Sequence, residues 1–242
     1  MFSFIWHSFF FDPVYNTLVF FIDSIPGGDV GLAIVATVLV VKMLLLPISI
    51  KAVKTQKVMK ELDPKLKAVK EEYKDDKQLQ AQKMMELYKE AGMNPFASIL
   101  LMFIQIPIVI ALYFSVSKGG GVPLPSINTD ILYPFIPNPD TVSMLMFGVF
   151  DIAAKSLPLA VLAGVTMFIQ MKLTMPPLPP REEGAELDHK QEFMRSMQLQ
   201  MKYVMPVLIG FVAYSFSASI ALYFVVSNLT AIGQEYWVRK HR

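Results

Sequence analysis

Val30 to Ile50 is a run of 21 residues whose only charge is Lys42. A helix needs about 20 apolar residues to cross the hydrocarbon core of a bilayer. Further runs follow. Pro95 to Ser117 carries no charge, and Ser156 to Thr174 carries only Lys172, near its end. Tyr203 to Val238 is a 36-residue apolar stretch with Ser215, Ser217 and Ser219 near its middle. As one helix it would reach about 54 Å, too long for a single crossing. It therefore reads as two short spans with a tight turn between them. Composition agrees: 54% of residues are apolar and 17% charged, with mean hydropathy +0.45, against about 25% charged in a soluble domain. The expected fold class is an all-α polytopic membrane protein with five transmembrane helices.

Lysine and arginine orient the spans, since they concentrate on the cytoplasmic side. Residues 51–92 hold eleven lysines, residues 172–202 five basic residues, and the last four residues three. The alternate connections hold only Lys118 and Lys155, so 19 of the 22 basic residues fall on one side. This predicts an outer-face interfacial segment at 1–29, spans at 30–50, 95–117, 156–174, 203–216 and 218–238, and an outer loop at 118–155. The cytoplasmic parts are then residues 51–92, a loop at 175–202 and a short basic tail at 239–242. The N-terminus is outside and the C-terminus inside. Residues 1–26 lack the basic start of a signal peptide, and Asp12, Pro13 and Asp23 interrupt their apolar run. Trp6, Tyr15 and several phenylalanines suit an interface.

Residues 51–92 read as a helical hairpin. Val58, Leu62, Leu66, Val69 and Tyr73 form one helical stripe, and Ala81, Met84, Tyr88 and Ala91 a second. Tyr73 to Lys77, with Asp75-Asp76, is the expected tip, and Gly92 a stop. Such a basic arm suits anionic headgroups or an approaching polypeptide. In the second cytoplasmic loop, Pro176-Pro177 and Pro179-Pro180 break helix and Asp188 is an expected cap. Met194, Met197, Met201 and Met205 then recur at helical spacing. Internal packing and a surface for varied apolar partners are both open for that stripe.

Several classes drop out. The chain has no cysteine, hence no disulfide, thiolate nucleophile or zinc-thiolate site, and His7, His189 and His241 lie far apart. No histidine lies in a span, and no span pairs two acids, so no intramembrane enzyme and no cofactor is expected. A net charge of +2 gives no field for direct nucleic-acid binding.

Lys42 is the most informative residue. A lysine at the centre of a span costs roughly 2.5–3.5 kcal/mol. Snorkelling to the cytoplasmic interface is one way to relieve this, but Lys51, the next basic residue, is about 13 Å along the helix. A water-filled cavity facing the bundle interior is the favoured reading. Gln105, Thr166, Gln170, Ser227, Asn228 and Gln234 are the other polar groups at membrane depth. They either line the same cavity or hydrogen-bond between helices. A small transporter or channel is the alternative class, but it calls for internal repeats or broken helices, and no repeat is visible.

Five sets of motifs follow one another along the spans. They are Lys42-Met43-Leu44-Leu45-Leu46-Pro47 in the first, Gly92-Met93-Asn94-Pro95 with Gln105-Ile106-Pro107 and Ala111-Leu112-Tyr113 at the second, and Gly164 to Phe168 with Gln170 and Leu173 in the third. Tyr203-Val204-Met205-Pro206, Leu222-Tyr223, Val226-Ser227-Asn228-Leu229 and Gln234 lie in the last two. In this order, with a lysine-rich hairpin after the first span, they resemble the core spans of the YidC-type membrane protein insertases, kin of the mitochondrial and chloroplast Oxa and Alb proteins. The resemblance implies five spans around a hydrophilic groove in a bacterial plasma membrane. It implies that the polar part of a nascent membrane protein passes through this groove while apolar segments are released to lipid, alone or with the Sec translocon, a ribosome or a targeting receptor. Lys42 takes the place of the family's groove basic residue, usually Arg. Gln105, Gln170, Tyr223 and Phe224 match substrate-contacting positions, with Asn228 beside them. Ser217-Ala218-Ser219 stands where proline and glycine are usual.

Overall fold

The computed structural model describes residues 2–92, 96–118, 121–175 and 195–240. It is mostly helical. Helix α1 (Phe2–Trp6) runs through a π-helical turn (His7–Phe11) into α2 (Asp12–Ser24). Helices α3 (Val30–Glu72), α4 (Lys77–Glu90), α5 (Phe96–Ser117) and α6 (Leu157–Thr174) follow. A second π-helical turn (Gln200–Val204) leads into α7 (Met205–Ser215), and α8 (Ala218–Lys240) ends the described chain. A two-stranded antiparallel hairpin, β1 (Leu145–Met146) and β2 (Phe150–Asp151), interrupts the loop before α6.

Among the described residues, two helical stretches are long and apolar enough to cross a membrane, Val30–Thr55 and Leu157–Thr174, and Phe103–Ser117 is a shorter apolar one. Their outward faces are oily. Val161, Val165 and Ile169 of α6, Val207 and Phe211 of α7, and Met43 and Leu44 of α3 are exposed. A soluble monomer rarely exposes apolar surface on that scale, whereas lipid is a suitable solvent for it.

Two boundaries differ from the sequence expectation. The first span and the first hairpin arm form one helix of 43 residues, continuous through Pro47 and Pro64. The composition changes near Lys51, but the helical backbone runs on without a break. Likewise the helix that becomes α7 is already running at Arg195, upstream of the expected start at 203. The stripe residue Met194, the four loop prolines and Asp188 lie outside the described residues.

The chain divides into two compact units. The first comprises Met1–Met43 and Pro107–Glu235. In it, Ala160 and Ala163 of α6 pack on Ala213 of α7 and on Ala221 and Val225 of α8. Small residues let these backbones approach closely. Gly164 and Gly210 mark the point of nearest approach, where a Cβ on Gly164 would lie 3.1 Å from the Pro206 carbonyl. The segment expected to lie at the interface has two apolar faces. Tyr15, Leu18, Val19 and Ile22 of α2 are buried, while Phe4, Phe9 and Phe20 are exposed.

The second unit comprises Leu44–Ile106 and Tyr236–Arg242. The turn between α3 and α4 covers residues 73–76. Asp76 Oδ1 caps α4 by accepting from the N–H groups of Gln78 and Leu79. Gln80 Nε2 donates back to the Lys70 carbonyl at 2.8 Å. Leu66 is the buried member of the α3 stripe. Gly92 closes α4 with φ +64°, the left-handed conformation that glycine adopts without penalty. Lys83 and Glu86 pair at 2.7 Å on the exposed surface. That contact holds the Lys83 ammonium above and the Glu86 carboxyl below their ordinary ranges.

Candidate functional site

Lys42 sits twelve residues into α3, half-buried, in the first unit. The preceding helix turns bury Val30, Ala33, Ile34, Thr37 and Val38. Met43 and Leu44, its immediate successors, are exposed. Lys42 thus stands where the helix passes from a packed face to an open apolar one. Gln105 is half-buried on α5 and belongs to the second unit.

The remaining expected positions lie in the first unit, on α6 and α8. Asn228 is 5% exposed. Its Nδ2 donates to Thr166 Oγ1 at 3.1 Å and to the Ala163 carbonyl at 3.3 Å. Thr166 in turn donates to the Leu162 carbonyl of its own helix at 2.8 Å. So Asn228 and Thr166 form an interhelical hydrogen bond, one of the two roles open for polar residues at this depth. Gln170 is one turn beyond Thr166 on the same side of α6, half-buried, with its carbonyl accepting from Thr174 Oγ1. Tyr223 is buried, and its hydroxyl has no hydrogen-bond partner among the described residues. Phe224 lies edge-on to Tyr223 and packs on the alanine contact of α6, α7 and α8. The structure therefore brings Asn228 to Thr166 and Phe224 to the helix contact. Lys42 and Gln170 are each half-buried on their own helices. Among the described residues no cluster of three or more metal-ligating side chains occurs.

The sequence reading missed a group of tethers on the loop between α5 and α6. Asp29 Oδ1 caps α3 by accepting from Leu32 N, and Oδ2 accepts from Phe147 N at 2.8 Å. Val30 N donates to the Ser143 carbonyl, and Ser143 N to the Gly28 carbonyl. Ala218 N and Ser219 N, in the first turn of α8, donate to the carbonyls of Ala154 and Ile152. On α2, Asn16 Oδ1 accepts from Tyr133 N, its Nδ2 donates to the Ile131 carbonyl, and Tyr15 Oη accepts from Asn128 N. A signal existed for one of these residues: an aspartate directly before an apolar helical run is an N-cap pattern. Its second partner, 118 residues away, left no local trace.

A family model described as 60Kd inner membrane protein matches residues 21–242. The membrane protein insertase YidC of Francisella tularensis subsp. novicida (strain U112) is 34% identical over 216 residues, 88% of this chain and 33% of that protein. The counterparts from subsp. tularensis (strain WY96-3418) and subsp. holarctica (strain FTNF002-00 / FTA) give the same figures. The chain spans about a third of the length of the curated relatives it matches.

Proposed function

The chain belongs to the 60Kd inner membrane protein family, and from that premise we propose that it is itself an insertase and membrane chaperone of the bacterial inner membrane. Its spans are residues 30–50, 95–117, 156–174, 203–216 and 218–238, with the N-terminus outside and the C-terminus cytoplasmic. A nascent membrane protein meets the hairpin of α3 and α4 first. Its polar end then enters a hydrophilic groove, and its apolar segment leaves into lipid along the first, third and fifth spans. Burial of that segment in hydrocarbon supplies the free energy, with the membrane potential acting on its charges.

The observation that carries this reading is Lys42, a cation twelve residues into an apolar helix. In bare lipid it would cost roughly 2.5–3.5 kcal/mol. In a hydrated groove that cost falls, and the charge attracts acidic and polar chain. Lys42, Gln105 and Gln170 are the proposed groove lining. Tyr223 belongs to the proposed groove as a buried residue behind that lining. The geometry of Phe224 and Asn228 supports a positioning role for both, holding α8 on α6.

The test is reconstitution into liposomes with a small single-span substrate, scored by protease protection. Wild type and Lys42→Arg insert it, Lys42→Ala fails, and deletion of residues 55–90 slows capture. Equal insertion by Lys42→Ala would overturn the charged groove. Ion flux without insertion would overturn the insertase reading in favour of a channel.

A further inference from the structure

The hairpin of β1 and β2 is short, yet it is fixed to the first turns of two helices. Its first strand follows Ser143, whose carbonyl accepts from Val30 N at 3.0 Å, and its turn residue Phe147 donates to Asp29 Oδ2. The Met146 side chain covers Gly31 so closely that a Cβ there would lie 2.5 Å from Met146 Cβ. Beyond the second strand, Ile152 and Ala154 accept from the N–H groups of Ser219 and Ala218, donors that a helix start leaves without intrahelical partners. The chain then enters α6 at Leu157. The starts of α3, α6 and α8 thus share one level with the hairpin.

Apart from Met146, which packs on Gly31, and Asp151 at its end, the side chains on this hairpin are apolar and outward. Phe147 is 65% exposed and Val149 73% exposed, with Leu145 and Phe150 also exposed. No charge occurs from Val142 to Phe150. Phe147 has φ +54°, a conformation that favours glycine or asparagine and is uncommon for bulky residues. A phenylalanine held there and left in water would be unfavourable on both counts. The exposed apolar surface continues into α6 through Leu157, Val161 and Val165, the face read above as lipid-facing.

We propose that the Leu145–Asp151 hairpin is a lipid-binding element, seated in the headgroup and upper acyl region of the outer leaflet through Leu145, Phe147, Val149 and Phe150. Phenylalanine and leucine side chains bury about 5–10 Å into that boundary when presented on an amphipathic element. Asp151 turns back to cap the N–H groups of Ala153 and Ala154 and marks the wet edge. The proposal rests on the reading of α3, α6 and α8 as spans that start on the outer side.

The absence of cysteine makes the test direct. Phe147→Cys and Val149→Cys are labelled with an environment-sensitive fluorophore and reconstituted in nanodiscs carrying either shallow or deep acyl-chain quenchers. Phe211→Cys on α7 reports the proposed mid-span lipid face. The expected result is blue-shifted emission at 147 and 149, lost to the shallow quencher far more than to the deep one. Emission at the aqueous wavelength overturns the proposal, as does deep quenching. A blue shift that neither quencher reduces also overturns it, in favour of contact with a second copy or another protein. Quenching at 211 by the deep probe keeps the reading of the spans intact if the hairpin sites stay dark to lipid; its loss shows that the reading has failed as well.

Discussion

Asn228 of α8 donates from Nδ2 to Thr166 Oγ1 of α6 at 3.1 Å, across 62 residues of chain. The two partners are not equivalent. Thr166 keeps its own-helix bond to the Leu162 carbonyl if Asn228 is removed, and Asn228 keeps the longer contact to the Ala163 carbonyl if Thr166 is removed. Asn228→Leu should therefore destabilise the detergent-solubilised protein more than Thr166→Val. A double-mutant cycle in denaturant should give a coupling of about 0.6 kcal/mol, the usual scale for such bonds within membranes. A coupling of zero, with insertion activity lost, would instead place Asn228 in contact with substrate.

Gly164 and Gly210 face each other where α6 meets α7. A Cβ at 164 would stand 3.1 Å from the Pro206 carbonyl, a backbone atom that cannot swing away, whereas one at 210 would meet the Ala160 carbonyl at 3.4 Å, an ordinary contact. Gly210→Ala should be close to neutral. Gly164→Ala should lower the melting temperature, and Gly164→Ile should do so more, since overpacking costs roughly 1–3 kcal/mol. Thermal unfolding monitored by tryptophan fluorescence orders the three variants. An inverted order of the two alanine variants would contradict the packing described.

Tyr15 supplies a pH dependence. Burial raises its phenol above the ordinary value near 10, outweighing the hydrogen bond received from Asn128 N. The folded protein therefore holds this proton more tightly than the unfolded chain. The associated stability is complete below the unfolded pKa and is lost as pH rises through the folded one. Unfolding should become easier above about pH 10, and Tyr15→Phe should flatten that limb while lowering stability at neutral pH. An alkaline limb unchanged in Tyr15→Phe would assign it to other groups.

What was legible in the sequence was local. Lys42 stood out because its neighbours are apolar, and the tip at Tyr73 to Lys77 because that stretch is polar and carries Asp75-Asp76. The continuation of α3 past residue 50 was not legible. The lysines that begin at residue 51 look like the start of a new element, although the helix runs on through them. Asn228 was visible as a polar residue at depth, but the choice between groove and helix contact depended on Thr166, 62 positions away. The loop at 121–155 was read as a connection because each of its tethers joins a backbone group of the loop to a partner far away in sequence: the side chains of Tyr15, Asn16 and Asp29 and the backbone of Gly28, Val30, Ala218 and Ser219.

Asp29 tests the assembly around that loop. Its carboxylate joins α3 to Phe147, and its neighbour Gly28 has φ +64° with a would-be Cβ only 2.0 Å from the Thr141 carbonyl. Asp29→Ala loses the helix cap, worth about 1 kcal/mol, and leaves Phe147 N without its acceptor. Asp29→Asn keeps one acceptor oxygen and should cap α3 while losing Phe147. Gly28→Ala keeps the carboxylate but strains the backbone that presents it. All three should expose residues 141–150 to protease added to the outer side of reconstituted vesicles, in the order Gly28→Ala, Asp29→Ala, Asp29→Asn from most to least cleaved. The cleavage site, read by mass spectrometry, should fall between Thr141 and Phe150. Cleavage that instead appears at residues 51–92 would mean that the loss spread through the chain and that the tether does not act locally.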